Sequence, residues 1–347
     1  MKEQREADVF FMRRALQLAQ RGGEKTRPNP RVGCVLVKNG KIIAQAWHQK
    51  FGAPHAEALA LKKAGSRARG ATAYVTLEPC VSFYGKKTPS CAEALIAAKI
   101  NKVFIASSDP NPKISNRGIR LFKANGIKVK TELLKEESQE INRGFFWRHQ
   151  FKRPYVVLKL ALSLDGKAFA LGGKSKWITG ISARQRVHQL RTRFDAILVG
   201  VETVLKDNPS LTSHQHGQNP TRIVLDTDLK IPKNSKVLDE QSRTLILTSS
   251  NQKIPRVETF QVPSKNGKIN LKRALKKLAE QGIGTLLVEG GPTVVASFLK
   301  ENLADEAYLF FAPKFLSGTH NPNLAPCLKN PEFEKIGKDF LIHGRIS

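Results

Sequence analysis

The sequence predicts an α/β protein of two domains, the first of them an α/β/α sandwich. Three observations carry that prediction. Strand-like apolar runs alternate with segments of helical period in both halves, the pattern of layered α/β folds. The length, 347 residues, is sufficient for two hydrophobic cores. Between the two alternating runs lies Lys152-Arg153-Pro154, which reads as a linker.

In the first half, residues 6–21 place Val9, Phe10, Met12, Ala15, Leu16, Leu18 and Ala19 on a broad helical face, and Gly22-Gly23 stops the helix. Thr26-Arg27-Pro28-Asn29-Pro30 is a rigid turn, because proline fixes φ and steers the preceding residue away from helix. Val32 to Val37 reads as a buried strand, Asn39-Gly40 as a hairpin turn and Lys41 to Ala46 as the return strand. Trp47 to Pro54, carrying His48, leads into a helix that starts at His55 and runs to about Lys63. A strand at 73–77, a helix from Cys91 to Ala98 and a strand at 103–107 follow. Asp109-Pro110-Asn111-Pro112 is a loop. A helix at 117–125 ends at Gly126, a strand spans 127–131 and one last helix spans about 135–149.

The second half restarts the rhythm. Tyr155 to Ala161 is an apolar strand that leads into Ser163-Leu164-Asp165-Gly166. A helix at 182–193 and strands at 196–200, 223–225, 245–248, 285–288 and 307–311 follow, with helices at 271–281 and 292–301. No G-x-G-x-x-G follows any strand, so a standard Rossmann dinucleotide site is not indicated. Glu289-Gly290-Gly291-Pro292 does follow a strand and open a helix, where glycines let backbone N–H groups approach a phosphate. Gly-Gly-Pro is equally at home in a plain turn.

Composition narrows the class. An apolar fraction of 40% and a charged fraction of 25% describe a globular chain, and no apolar run approaches the roughly 20 residues of a membrane span. Met1 to Glu6 lacks the apolar centre of a signal peptide, and four cysteines do not make a disulfide framework. A reducing cytoplasm is the expected location. The net charge of +29 attracts anions, from small phosphates to nucleic acids. Its basic residues are scattered and no nucleic-acid motif accompanies them, so a specific nucleic-acid partner is not expected.

The chemistry concentrates between His55 and Cys91. His55-Ala56-Glu57 opens the stretch, and ten residues separate Cys80 of Glu78-Pro79-Cys80 from Cys91. One imidazole and two thiols give Zn²⁺ three ligands and leave the fourth tetrahedral position for water. Glu57, two residues past His55, is near enough to move protons without being a ligand. Singly, a cysteine is a small buried hydrophobe and a helical histidine a packing residue. All four together, after a strand, point to a metal site. Cys91 opens a helix, whose N-terminus favours the thiolate a metal needs. Cys34 and Cys327 read as inert.

This H-x-E…P-C…C order resembles that of zinc-dependent deaminases. The likeness extends further. Pro28-Asn29-Pro30-Arg31-Val32-Gly33, Pro54-His55-Ala56-Glu57, Tyr74-Val75-Thr76-Leu77-Glu78-Pro79-Cys80 and Asp109-Pro110-Asn111-Pro112 carry it in the first half. Lys159 to Gly166, Ser175-Lys176-Trp177-Ile178-Thr179, Asp195 to Gly200, Thr203, Asp207 to Thr212, Arg222 to Asp226 and Val288 to Thr293 carry it in the second. Over nearly its whole length the chain resembles the bifunctional riboflavin-biosynthesis enzymes. These join a diaminohydroxyphosphoribosylaminopyrimidine deaminase to a 5-amino-6-(5-phosphoribosylamino)uracil reductase.

The resemblance implies a cytidine-deaminase-like domain at 1–151, a zinc-dependent hydrolase, and a dihydrofolate-reductase-like domain at 154–347, an NADPH-dependent oxidoreductase. It implies loss of an amino group from a phosphorylated pyrimidine as ammonia, then reduction of the ribosyl chain to ribityl. His55, Cys80 and Cys91 would bind zinc, and Glu57 would be the catalytic proton carrier. Asn29, His48, Lys87, Asp109 and Asn111 match substrate positions of the deaminase. In the reductase, Ala161, Trp177, Thr203, Asp207, Gly291, Pro292 and Thr293 match cofactor positions. Lys159, Ser175, Arg191, Leu211, His214 and Glu289 match substrate positions there. Arg191 suits a phosphate, which a guanidinium binds bidentately. A homo-oligomer is the expected assembly.

The chain departs from the family pattern in two places. Its run between the cysteines is longer, with Phe83-Tyr84 and with Ser90 in place of a proline, which leaves open whether Lys86 or Lys87 meets the phosphate. His214 stands where the family has an arginine, which weakens a phosphate contact at neutral pH. Arg222 or a nearby lysine is the expected replacement. Two rival readings follow: the same family with one domain impaired, and a tRNA-type deaminase with an appended domain. Against the second, a nucleic-acid module has no need of the Lys159 and Asp207 constellations.

Overall fold

A computed structural model describes residues 2–82, 90–167, 178–313 and 328–346. The chain divides into two compact units, Met1–Phe151 and Lys152–Ser347.

The first unit is built from α1 (Lys2–Gln20), β1 (Gly33–Lys38), β2 (Lys41–Trp47), α2 (Ala56–Ala64), β3 (Thr72–Leu77), α3 (Cys91–Ala97), β4 (Lys102–Ser107), α4 (Arg117–Ala124), β5 (Lys128–Thr131), α5 (Lys135–Ile141) and α6 (Arg143–Phe151). Its sheet runs β2-β1-β3-β4-β5. The β1–β2 hairpin turns at Asn39 and Gly40, both at positive φ, as a tight hairpin turn requires. β1 is antiparallel to β3, and β3, β4 and β5 are parallel.

Side chains alternate across this sheet and fill two cores. Cys34, Leu36, Ala73, Val75, Val103 and Ile105 face α2, α3 and α4 through Ala56, Ala60, Ala92, Leu95, Ile119 and Phe122. Val35, Val37, Tyr74, Phe104 and Ala106 face α1 through Phe11, Met12, Ala15 and Leu18. Helices on both faces make the three-layer α/β/α sandwich. Gly33 lets α1 lie close to β1, since a Cβ there would stand 2.0 Å from the Ala15 carbonyl oxygen. The single helix expected at 135–149 is two helices broken at Asn142. The Asn142 amide pairs with the backbone of Arg31, and its Nδ2 also reaches back to the Ser138 carbonyl of α5 at 3.5 Å.

The second unit contains β6 (Tyr155–Ser163), α7 (Ile181–Thr192), β7 (Ala196–Gly200), α8 (Val201–Asp207), β8 (Thr221–Leu225), β9 (Thr244–Thr248) and β10 (Glu258–Gln261). It continues with the short hairpin β11 (Ser264–Lys265) and β12 (Lys268–Ile269), then α9 (Leu271–Glu280), β13 (Thr285–Val288), α10 (Pro292–Lys300), β14 (Glu306–Ala312), β15 (Leu328–Ile336) and β16 (Asp339–Ile346). The sheet order is β10-β9-β8-β7-β13-β6-β14-β16-β15. Its strands are parallel except for the two pairings made by β16.

One face of this sheet packs on α9 and α10 through Leu271, Leu275, Leu278, Val295 and Phe298. The other meets Val204, Leu211, Ile231 and Val237 beside β7–β9, and Ala183 and Val187 of α7 beside β14 and β16. β13 inserts between β6 and β7, so strands distant in sequence end side by side. Ligands of open parallel sheets bind at such strand ends. α8, β10, the β11–β12 hairpin and the β15–β16 hairpin were not expected from the sequence. Among the described residues no helix is long and apolar enough to cross a membrane.

Candidate functional site

β3 ends at Leu77 and carries the chain through Glu78-Pro79 to Cys80, while His55 immediately precedes α2 and Cys91 opens α3. His55 is the residue before α2 rather than its first helical residue. Its Nδ1 lies 3.4 Å from Cys80 Sγ and 3.3 Å from Cys91 Sγ, and the three donor atoms lie within 4.8 Å of one another. Tetrahedral zinc with two sulfur ligands and one nitrogen ligand spaces its donors by roughly 3.5–3.8 Å. The group therefore fits zinc in both donor chemistry and spacing.

Ser90, the departure from proline, has a visible use. Its hydroxyl accepts from Glu93 N at 3.1 Å as the cap of α3 and donates to the Cys80 carbonyl at 3.2 Å. It ties the start of Cys91's helix to the other thiol. Lys86 and Lys87 fall at 83–89, outside the described residues.

Glu57 sits in the first turn of α2, buried, and its Oε2 has no hydrogen-bond partner in the structure. An orphaned buried carboxylate oxygen beside three metal donors is where a metal-activated water finds its base. Burial first, then Cys80, push this carboxyl up to about 7, against the opposing effect of His55.

His48 and Asn29 extend the site. Burial lowers the His48 pKa, so its ring is neutral at neutral pH. Nδ1 faces the Pro54 carbonyl at 3.3 Å and must donate, which leaves Nε2 to accept from Asn29 Nδ2 at 3.4 Å. The Asn29 amide is thereby oriented. Asn142 fixes the same loop from behind: its Oδ1 accepts from Arg31 N at 2.7 Å and its Nδ2 donates to Arg31 O at 2.9 Å. Nothing in the sequence marked Asn142 except its position inside an otherwise helical stretch.

Asp109 is buried and pushed up to about 7. Burial is the main cause, opposed by the Asn111 N–H and helped by Glu78 and Cys80. Asp109 and Asn111 each close a tight side-chain turn, Asp109 Oδ1 on Asn111 N at 2.8 Å and Asn111 Oδ1 on Lys113 N at 3.1 Å.

In the second unit Glu289 follows β13 and gathers two cations. Arg191 grips it bidentately at 2.8 and 3.1 Å and also donates to Thr212 O at 2.8 Å. Lys159 of β6 stands 3.6 Å away. Burial would raise the Glu289 carboxyl, but Arg191 and Lys159 hold it at about 2. Arg191 is thus engaged with a carboxylate at the site where a phosphate contact was expected of it.

Ala161 lies on β6, and Thr203 and Asp207 lie on α8, half-buried and exposed respectively. Leu211 has φ 53 and a side chain packed in the core, so it faces a ligand only through its backbone. His214 stacks on His188 at 4.1 Å between ring centres, and burial and Arg191 lower both pKa values. Trp177 and Ser175 fall at 168–177, outside the described residues.

Arg222 does not replace the family arginine. Its side chain is fully buried and spends its donors on Thr244 Oγ1, Asp239 Oδ1 and the carbonyls of Ser210, Lys236, Asp239 and Ser242. It braces the 207–212 segment from the core side instead.

Gly291, Pro292 and Thr293 open α10 with proline at its first turn. A Cβ on Gly291 would meet nothing within 4 Å, whereas one on Gly290 would stand 2.6 Å from Val294 Cβ. Gly290 is demanded by packing. Gly291 leaves an open cradle at a helix N-terminus beside the strand ends, which fits a dinucleotide phosphate.

Residues 5–107 match the cytidine and deoxycytidylate deaminase zinc-binding region, and residues 154–341 match the RibD C-terminal domain. The riboflavin biosynthesis protein RibD of Aquifex aeolicus is 42% identical over 97% of this chain and 98% of its own length. The RibD structure of Acinetobacter baumannii superposes with a TM-score of 0.89 at 34% identity, covering 99% of both chains. A Thermotoga maritima diaminohydroxyphosphoribosylaminopyrimidine deaminase/5-amino-6-(5-phosphoribosylamino)uracil reductase superposes with a TM-score of 0.85 at 36% identity, covering 99% of this chain and all of that one. With the zinc-fitting group in the first unit and the reductase match over the second, the chain belongs to the RibD family of bifunctional deaminase-reductases of riboflavin biosynthesis.

Proposed function

We propose that the two sites carry out consecutive steps on one phosphorylated pyrimidine, deamination in the first unit and reduction of the ribosyl chain in the second. One observation carries the deaminase assignment: the buried, unpartnered Glu57 Oε2 beside His55, Cys80 and Cys91. A zinc ion held by His55, Cys80 and Cys91 would supply a water acidic enough to act near neutral pH. Glu57 takes up a proton at Oε2 and returns it to the departing amine. Asn29, its amide oriented by His48, reads an edge of the heterocycle, and Asp109 and Asn111 bind the sugar-phosphate side together with Lys87.

In the second unit a bound NADPH would supply the hydride. Gly291, Pro292 and Thr293 would hold its phosphates at the start of α10, and Ala161, Trp177, Thr203 and Asp207 are the further residues assigned to the cofactor. Glu289, held ionised by Arg191 and Lys159, stays a fixed charge that orients the sugar hydroxyls. Ser175, Leu211 and His214 are the further residues assigned to the substrate. His214, neutral at neutral pH, binds the phosphate through hydrogen bonding rather than charge.

The test supplies the diaminopyrimidinone ribosyl phosphate and NADPH together and identifies the product by mass. Exchange of one amino group for oxygen followed by gain of two hydrogens is expected. Exchange without reduction, or neither change, counts against the reading. The reading also includes a cytoplasmic location, no specific nucleic-acid partner and a homo-oligomer. Exposed Phe333 and Phe340 on the antiparallel end of the second sheet offer an apolar surface for such an assembly. Sedimentation over a concentration series checks the oligomer, and RNA binding across a salt series checks the nucleic-acid expectation.

A further inference from the structure

Glu78 lies two residues before Cys80, and the residue is 3% exposed. Four backbone N–H groups donate to it. Oε2 accepts from Asp109 at 3.2 Å and Asn116 at 3.0 Å, and Oε1 accepts from Gly118 at 3.0 Å and Ile119 at 3.4 Å. All four donors belong to one segment, which begins at Asp109 and runs into α4. Asn116, the residue before α4, has φ 59 and makes no side-chain cap. The carboxylate at the end of β3 does for α4 what a capping side chain does in other helices, taking up N–H groups of the first turn. A separate feature agrees. A Cβ on Gly118 would stand 2.6 Å from the Pro79 carbonyl oxygen, so glycine is what lets α4 approach the Glu78-Pro79-Cys80 run this closely.

We propose that Glu78 is a positioning residue of the deaminase, setting the Asp109–Asn111 loop at a fixed place relative to Cys80. The proposal rests on the deaminase reading above. The internal turns of the loop, on Asp109 and Asn111, fix its shape but not its distance from the metal group. Glu78 supplies that distance, because one carboxylate gathers both ends of the segment and its residue stands only two positions before Cys80. A carboxylate is required rather than an amide. Four donors converge on two oxygens, and glutamine would turn an NH₂ toward two of them.

The test uses the full-length zinc-loaded enzyme. In Glu78→Gln, amide exchange at Asp109, Asn116, Gly118 and Ile119 is expected to speed up about tenfold or more, the scale of one lost charge-assisted hydrogen bond. The KM for deamination should rise by about tenfold while kcat stays within about threefold. Zinc content and NADPH-dependent reduction should hold. In an Asp109→Ala background the same substitution should add less than about threefold, because both changes act through one loop. Gly118→Ala, which pushes α4 off Pro79 and keeps the carboxylate, should reproduce the KM rise and keeps the test decisive should Glu78→Gln fail to fold.

Unchanged exchange overturns the proposal, as does an unchanged KM or a full multiplication of the Glu78 and Asp109 effects. Loss of zinc with KM intact also overturns it, since Glu78 would then serve the metal site alone. A wild-type enzyme that releases no ammonia, while the four amides still respond to Glu78→Gln, overturns the deaminase reading and with it the catalytic purpose of the anchor.

Discussion

Glu57 and Glu289 are both buried carboxylates, and their neighbours drive them in opposite directions. Burial and Cys80 push Glu57 up to about 7, whereas Arg191 and Lys159 outweigh burial and hold Glu289 at about 2. The first suits proton exchange near neutral pH and the second suits a permanent charge. Glu57→Gln keeps size and polarity but cannot accept a proton. Ammonia release should fall by roughly 10² or more, with zinc retained and with reduction of a supplied, already deaminated intermediate intact. Asp207→Ala should do the converse, slowing NADPH oxidation and sparing ammonia release. The two rates are read separately, ammonia by a coupled assay and NADPH by absorbance. Loss of both rates in a folded Glu57→Gln enzyme would mean one shared site.

For Glu289 the sign follows from the folded pKa lying below the ordinary 4.5. Its stabilisation is fully present above about 4.5 and is lost as pH falls toward about 2. Glu289→Gln leaves Arg191 and Lys159 without their buried partner and should cost about 3–5 kcal/mol at neutral pH. It should also flatten the acid side of the stability profile. Denaturant melts at a series of pH values check both, and an unchanged acid limb would refute the assignment. At this scale the metal set was legible because zinc chemistry dictates residue types and spacing. Arg222 and Asn142 were not, because their roles exist only through partners far along the chain, Asp239 and Arg31.

Among the elements, the N-terminus of α10 separates packing from binding. Gly290→Ala drives a Cβ into Val294 and should destabilise the second unit by about 1–3 kcal/mol, the usual scale of overpacking. Gly291→Ala meets open space at φ −64 and should leave stability within about 0.5 kcal/mol. If phosphates of NADPH lie against that backbone, Gly291→Ala should nonetheless raise the KM for NADPH. An unchanged KM would remove Gly291 from the cofactor site.

The central parallel strands, such as β3, β4, β7 and β9, were readable as apolar runs because they are buried on both faces, whereas the exposed edge strand β10 was not. β15 was not. It carries Pro331, lysines and glutamates, and its register shifts between Lys329 and Glu332. Those are features of an edge strand, which is held by its partner β16 rather than by its own pattern. The helical pattern at 135–149 hid a break, because Asn142 is tolerated in a helix and its pairing with the distant Arg31 backbone leaves no local mark.

For the whole molecule, two units with separate cores and separate ligands should answer separately to those ligands. A ligand that binds only the folded state raises stability by RT ln(1 + [L]/Kd), about 2.7 kcal/mol at a hundredfold excess over Kd. In a calorimetric scan, NADPH at that excess should move one transition upward and leave the other in place. A strong chelator should lower the other transition, since it takes the ion that joins α2, β3 and α3 through His55, Cys80 and Cys91. Cys80→Ser should abolish the chelator effect and leave the NADPH effect, because it removes a ligand from the first unit only. Limited proteolysis of the two species assigns each transition to Met1–Phe151 or Lys152–Ser347. Should NADPH and the chelator act on a single shared transition, and Cys80→Ser remove the NADPH shift as well, the two sites would be one cooperative centre rather than two.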